Sequence, residues 1–274
     1  MSSEDAHGDQ SLRLDRRTAI RLAAVTAFGL ATTTACDGSG TKALSSQAPR
    51  ASVPSAAPSA SVPPASAEPP PGLASLPPEI ATGPRTRPQV ALTFHGQGEA
   101  AQVKQILTEL EAANARVTVL AVGTWLDAEP TIARRILDGG HELGNHTQTH
   151  SAIAQMSADK AFAEIDACAQ RLKKLTGSVG VWFRPSQTQH ATATIEAQAA
   201  KVGYRTCLSY DVDSLDYTDP GSAAVVRNTL RSIQNGSIVS LHFGHTGTVA
   251  AIAGIVDGLR QRSLRPVTMT GLMS

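Results

Sequence analysis

The sequence has almost no net charge. Its 274 residues include 24 lysines and arginines against 23 aspartates and glutamates, which gives a formal net charge of +1. Proteins that bind nucleic acids usually carry a strongly basic surface. The charge balance excludes that class, and we expect no nucleic-acid partner.

The sequence also lacks a hydrophobic run of membrane-spanning length at its N-terminal end. The mild apolar run there covers residues 22–35, which is 14 residues, whereas a transmembrane helix needs about 20. Arg16 and Arg17 precede the run. This combination resembles a twin-arginine export signal, which we assign to residues 1–36.

Cys36 ends this segment and is the candidate site of lipid attachment. Residues 33–36 read Thr-Thr-Ala-Cys, which resembles the lipobox of bacterial lipoproteins, although Thr33 stands where leucine is usual. The alternatives are an ordinary cleaved signal peptide with an incidental cysteine, and a structural amphipathic helix. Lipid attachment predicts an exported protein at the outer face of the cytoplasmic membrane or in the cell wall, touching the membrane through its anchor only.

Residues 37–87 have little that is apolar enough to build a core. They are rich in alanine, serine and proline, and 12 of the 16 prolines lie between Pro49 and Pro88. Such a segment cannot offset its own ordering entropy. We predict a disordered linker that tethers the remaining domain, with a proline-rich ligand for a partner domain as the alternative.

Residues 88–274 alternate apolar strands with amphipathic helices. The predicted strands are 90–94, 117–122, 141–144, 181–183, 204–212, 238–243 and 264–269, and the predicted helix N-caps are Asp127, Ser157 and Asp219. Repeated strand–helix units predict a parallel α/β sheet or barrel, with the active site at the carboxyl ends of the strands. At this size the domain needs no disulfide or metal to fold.

Polar side chains follow the predicted strands at those ends. They are His95, His146, His150, Arg184, Asp211, Asp213, Asp216, His242 and His245. A rim of histidine, aspartate and arginine on an α/β scaffold is typical of a metal or acid–base site.

The order and spacing of these motifs resemble the NodB-homology polysaccharide deacetylases. The strongest stretch is residues 116–150, which contains VTVLAVGTW and GGHELGNHTQTH. The resemblance covers nearly all of residues 88–274. It implies a distorted, incomplete (β/α) barrel that removes acetyl groups from N-acetylated sugars with a divalent metal, usually zinc.

The resemblance also implies roles for individual residues. The His-x-x-x-His motif falls on His146 and His150, which would be two of three metal ligands. Arg184 would hold the catalytic base, although the glycine that the family has after this Arg-Pro is missing. Asp216, the second aspartate of Asp-x-x-Asp, would orient His242, the general acid that protonates the departing amine.

The first motif departs from the family. The family has Thr-Phe-Asp-Asp-Gly, with the general base followed by a metal ligand, and this chain has Thr-Phe-His-Gly-Gln-Gly-Glu over residues 93–99. Gly96 has no side chain to offer a metal. His95 is either the third ligand, which we prefer, or the base; in the second case Glu99 or Asp211 supplies the ligand.

Two functions remain open from the sequence. One is hydrolysis of N-acetyl groups on a cell-envelope or environmental polysaccharide, such as peptidoglycan or a chitin-like glycan, by a monomer. The other is a catalytically silent glycan-binding domain that lost the first-motif carboxylates. Aromatic residues are 4% of the chain, which leaves few platforms for stacking on sugars and slightly disfavours the second function.

Two further cysteines lie in the domain. Cys168 is on a predicted helix and Cys207 on a predicted strand that this helix would cover. In an exported protein they would form either a disulfide or two separate buried thiols.

Overall fold

The computed structural model describes Leu73 and residues 75–274. The predicted export signal, Cys36 and most of the predicted linker lie outside the described residues. Among the helices of this part, none has both the length and the apolar character needed to cross a bilayer.

A parallel sheet forms the centre of the domain. Its strands and the short strands beside it are β1 (Glu79–Ile80), β2 (Gln89–Gly96), β3 (Thr118–Ala121), β4 (Glu142–Asn145), β5 (Cys207–Leu208), β6 (Val212–Asp213), β7 (Ile238–His242) and β8 (Arg265–Val267). The main sheet has the order β4-β3-β2-β7-β6, and β8 pairs with the first residues of β2. Strand β2 therefore lies in the middle of the sheet.

Single bridges extend this sheet into an incomplete barrel. Phe183 bridges to Asn145 of β4 on one side and to Cys207 of β5 on the other, and β5 pairs in parallel with β1. The predicted strand 181–183 is thus reduced to one bridging residue. The fold is a distorted α/β barrel, in agreement with the expected fold class.

Helices cover the outside of the sheet. They are α1 (Ala100–Ala112), α2 (Gly123–Ala128), α3 (Pro130–Asp138), α4 (Ala158–Thr176), α5 (Ala193–Val202), α6 (Ser222–Arg231), α7 (Thr246–Gln261) and α8 (Met269–Met273). Helix α1 buries Val103, Ile106, Leu107 and Leu110, a spacing that puts all four on one face.

Strand β2 has two buried faces, which explains its continuous apolar run. Val90, Leu92 and Phe94 belong to the core cluster under the helices, whereas Ala91 belongs to a second cluster with Trp182 and other residues inside the barrel. Side chains alternate along a strand. His95 therefore follows Ala91 on the inner face, at the carboxyl end of β2.

Two of the predicted helix caps are wrong and one is confirmed. Asp127 lies inside α2, and α3 instead begins with Pro130 after Glu129, because proline fits the first turn of a helix. Asp219 adopts a left-handed conformation, and Gly221 is the N-cap of α6. Ser157 is the N-cap of α4, as predicted.

The folded chain begins before residue 88. Strand β1 lies inside the range predicted as linker, and Leu73 and Ile80 are buried in the cluster inside the barrel. Arg85 forms a salt bridge of 2.9 Å with Asp211. The sequence missed this segment because its few apolar residues are separated by prolines.

Cys168 and Cys207 are not paired with each other. Both are buried, and they belong to different core clusters. Burial raises the pKa of each thiol to about 12. The structure therefore confirms the second of the two alternatives, separate buried thiols, and not the disulfide.

Candidate metal centre and catalytic groups

The two central strands of the sheet place His95 beside His242. Residues 95 and 242 are register partners in the parallel pair β2–β7, so their side chains leave the sheet on the same face. Their ring centroids are 4.1 Å apart. Both side chains stand at the carboxyl end of the sheet, where the sequence predicted the site.

A turn after β4 brings His146 and His150 together, with 4.8 Å between their ring centroids. Thr147 and His150 have positive φ angles of 67° and 59°, so the segment is not a right-handed helical turn. The side chain of Asn145 accepts a hydrogen bond from the Thr147 amide, and the Thr147 hydroxyl accepts one from the His150 amide. These bonds hold the turn in its left-handed conformation.

His95, His146 and His150 form the group of described residues that fits a metal ion. One nitrogen from each ring lies within 4.8 Å of the other two. His146 Nδ1 donates to the carbonyl of Arg184 at 2.9 Å, which leaves the lone pair on Nε2. His146 Nε2 and His95 Nδ1 are buried and have no hydrogen-bond partner, and buried polar atoms without partners are rare.

The electrostatics of the cluster favour metal binding as well. Burial lowers the pKa of His95 and of His146 well below the usual histidine value, and the neighbouring histidines and Arg184 disfavour a charge on either ring further. Burial and His242 also lower the pKa of His150. The three imidazoles are therefore neutral at neutral pH, the form that binds a metal. Neutral imidazoles suit zinc among the divalent ions.

Arg184 is buried without a carboxylate partner among the described residues. Its Nε and Nη2 donate to the carbonyls of Leu208 and Ser209 at 3.0 and 3.1 Å. Its Nη1 lies 3.4 Å from His95 Nε2. Burial lowers the pKa of Arg184 to about 10. His95 thus occupies the place beside Arg184 that the resemblance gave to an aspartate.

Asp216 and His242 form a closely bonded pair. Oδ1 of Asp216 is 2.7 Å from His242 Nδ1, and Oδ2 accepts from the His242 amide at 2.8 Å and from the Thr248 hydroxyl at 2.7 Å. Burial opposes ionisation of Asp216, but the hydrogen bonds outweigh burial and its pKa is lowered. The pair fixes the His242 ring and leaves Nε2 free to react.

Two alternative ligands do not join the three histidines. Glu99 is exposed at the N-cap of α1. Asp211 is bonded to Arg85, to the Ser237 hydroxyl and to the Ile238 amide, so its role is structural. Among the described residues, no carboxylate lies with the three histidines.

His95, His150 and His242 border a groove of about 660 Å³, and the buried His146 packs against the rings of His95 and His150. The lining of the groove also includes Gln97, Gln187, Gln189, Tyr210, Tyr217 and His245. The sequence missed Ser240, whose hydroxyl lies 3.1 Å from His95 Nε2. Its position two residues before the end of the buried strand β7 was the only signal for it.

The polysaccharide deacetylase family model matches residues 82–207. Residues 82–207 are thereby assigned to this family. Over 188 residues the chain is 29% identical to a peptidoglycan-N-acetylglucosamine deacetylase from Bacillus cereus, which covers 67% of this chain and 87% of the relative.

Solved structures share the fold of this deacetylase-family domain. The Bc1960 peptidoglycan N-acetylglucosamine deacetylase superposes with a TM-score of 0.66 at 26% identity, over 71% of this chain and 92% of that chain. BA3943 from Bacillus anthracis, described as a pseudoenzyme of carbohydrate esterase family 4, superposes with a TM-score of 0.68 at 22% identity, over 73% and 70% of the two chains.

Proposed function

We propose that this chain is a metal-dependent deacetylase that hydrolyses N-acetyl groups on a cell-envelope or environmental polysaccharide of the peptidoglycan or chitin type. The observation that carries this proposal is the cluster of three neutral histidines, two of them with an unpartnered buried nitrogen, beside the Asp216–His242 pair: the ring centroids of His95 and His242 are 4.1 Å apart. A relative named peptidoglycan-N-acetylglucosamine deacetylase supports the substrate class.

The metal site consists of His95, His146 and His150, and we propose zinc as the ion. The chemistry that such an ion supplies when bound is polarisation of the acetyl carbonyl and activation of a water molecule. The Arg184 carbonyl holds the proton of His146 on Nδ1 and so keeps its Nε2 available. With Nδ1 on the metal, the Nε2–H of His95 donates to the Ser240 hydroxyl, which holds the ring; the Arg184 guanidinium, which has donors only, lies beside the ring without a hydrogen bond to it.

His242 acts as the general acid. Its Nδ1 is bonded to Asp216, which fixes the orientation of the ring and points Nε2 away from the carboxylate. Nε2 then gives a proton to the amine as the carbon–nitrogen bond breaks. Because Asp216 is buried and also bonded to Thr248, the orientation of His242 is set before the substrate binds.

Acetate release is the test of this function. The full-length protein, treated with a chelator and then loaded with zinc or cobalt, is incubated with acetylated chitooligomers and with peptidoglycan. We expect acetate from the loaded protein, a large loss in His146→Ala, and no loss in His190→Ala, whose imidazole is paired with Glu79 and does not line the groove. No turnover on any acetylated glycan by the metal-loaded protein contradicts the proposal.

The second candidate function is a catalytically silent glycan-binding domain. It is favoured by the absence of a carboxylate at residues 95 and 96, and BA3943 on the same fold is described as a pseudoenzyme. Glycan binding without acetate release, from protein that demonstrably holds metal, favours this candidate.

We also propose that the protein is exported and anchored by a lipid on Cys36. The support is the sequence pattern of residues 16–36. Mass spectrometry of the mature N-terminus from membrane fractions is expected to find a lipid-modified Cys36. The Cys36→Ser variant is expected to be absent from the membrane fraction. An unlipidated N-terminus beyond residue 36 contradicts the anchor and leaves export intact.

A further inference from the structure

A second histidine–aspartate pair follows the first by three residues, and its histidine lines the groove. His245 Nδ1 is 2.9 Å from Asp219 Oδ1. The His245 ring lines the groove, and its centroid is 6.2 Å from that of His242. The deacetylation chemistry proposed above does not use this pair.

The two pairs differ in exposure. The side chain of Asp216 is completely buried, whereas 67% of the Asp219 side chain and 27% of the His245 side chain are exposed. The hydrogen bond to Asp219 engages Nδ1 of His245 and leaves Nε2 as the ring nitrogen available to a ligand. An imidazole oriented in this way on a groove wall accepts a hydrogen bond from a hydroxyl group.

We infer that His245, oriented by Asp219, binds a hydroxyl group of the sugar next to the one that is deacetylated. The inference rests on the proposed function, because it takes the groove to hold a glycan. Sugar rings carry many hydroxyl donors, and His245 lies beside the general acid rather than at the three-histidine cluster. A glycan bound at His242 therefore lies within reach of His245, whose ring centroid is 6.2 Å away on the same groove wall.

The pair is not needed to hold the turn that carries Asp216 and Asp219. The buried Thr248 hydroxyl already joins Asp216 to α7, and the His242 amide donates to the same carboxylate. Exposed ion pairs add little to the stability of a fold. Asp219 also adopts a left-handed conformation with a φ of 52°, which is uncommon for a residue other than glycine and is frequent at functional sites.

The experiment compares His245→Ala and His245→Gln with His190→Ala. His190 is a matched control because its Nδ1 is 2.8 Å from Glu79 Oε1, at the surface outside the groove. Steady-state kinetics of the full-length, zinc-loaded protein are measured on an acetylated chitooligomer. Loss of one hydrogen bond predicts a KM about three- to tenfold higher for His245→Ala, with kcat within about twofold. His245→Gln, which keeps an acceptor, recovers part of the affinity, and His190→Ala matches the wild type.

The outcomes separate this inference from the proposed function. An unchanged KM in His245→Ala, or a lost kcat at unchanged KM, overturns the inference and leaves the function standing. If the wild type releases no acetate, the same variants are compared by calorimetric binding of the chitooligomer: weaker binding of His245→Ala alone supports the inference, and equal or no binding overturns it. Thermal melts check folding, and His245→Gln replaces His245→Ala if the alanine variant is unfolded.

Discussion

Gly96 is the residue at which the structure departs most from the family motif, because no side chain fits there. A Cβ built on Gly96 would lie 2.9 Å from Ala121 Cα, 2.9 Å from Val119 Cγ1 and 3.0 Å from the Leu120 carbonyl. Two of these neighbours are backbone atoms of β3, which cannot rotate away. We therefore predict that Gly96→Asp, which restores the family's metal ligand, pushes β2 away from β3 instead of rebuilding the site.

The size of this effect follows from the close contacts. Overpacking a buried site costs about 1–3 kcal/mol, so Gly96→Ala should lose about that amount of the free energy of unfolding. For a domain of this size each kcal/mol corresponds to roughly 2–4 °C in melting temperature. The expected fall is thus roughly 2–12 °C for Gly96→Ala and more for Gly96→Asp, because the carboxylate is larger and has a charge to bury.

Differential scanning calorimetry of the metal-free protein measures this effect. Gly247→Ala is the control, since its Cβ meets nothing closer than 3.9 Å and alanine favours a helix; we expect an unchanged or slightly higher melting temperature. Zinc affinity is measured on the same variants, and Gly96→Asp should weaken it by shifting the neighbouring His95. A Gly96→Asp protein that melts like the wild type and binds zinc more tightly would refute this account of the first motif.

Three other predictions follow from the site. Asp216→Asn removes the charge that orients His242, so acetate release should fall by roughly a hundredfold or more while zinc content stays the same, and equal rates would contradict the role of this pair. The pKa values of buried His95 and His146 lie below the value of about 6.5 that histidine has in an unfolded chain, so below that pH the unfolded metal-free chain binds more protons than the folded one. The contribution of the two neutral histidines to the free energy of unfolding is therefore fully present above about pH 6.5 and is lost as the pH falls. Melting temperatures should decrease from about pH 7 to about pH 5, and a flat profile would contradict the burial of these rings. Cys168 and Cys207 should react with a thiol reagent only after denaturant is added, and fast labelling of the native protein would contradict their burial.

The alternation of apolar strands and amphipathic helices was enough to predict the α/β fold. Strand β2 and helix α1 follow the periodicity of their apolar residues closely. The pattern failed where local geometry is decided by other contacts. The predicted strand 204–212 is two short strands, because Ser209 to Asp211 leave the ladder to meet Arg184 and Arg85.

The candidate site was predictable where side chains lie at strand ends. His95 and His242 come together because their strands pair in register, and the motif spacing marked His146 and His150. The tight contact of Gly96 with β3, the hydroxyl of Ser240 beside His95 and the pairing of His245 with Asp219 were not predictable. Each depends on how two distant segments pack, which periodicity does not encode.

The central claim is a metal centre made of three histidines and no protein carboxylate. X-ray absorption spectroscopy at the zinc edge, on the full-length protein loaded with one equivalent of zinc, tests it most directly. We predict three imidazole nitrogens at about 2.0–2.1 Å from the zinc, together with one oxygen ligand from water. In His95→Ala the number of imidazole ligands should fall from three to two. A spectrum with two imidazoles and a carboxylate, unchanged by His95→Ala, would contradict the claim.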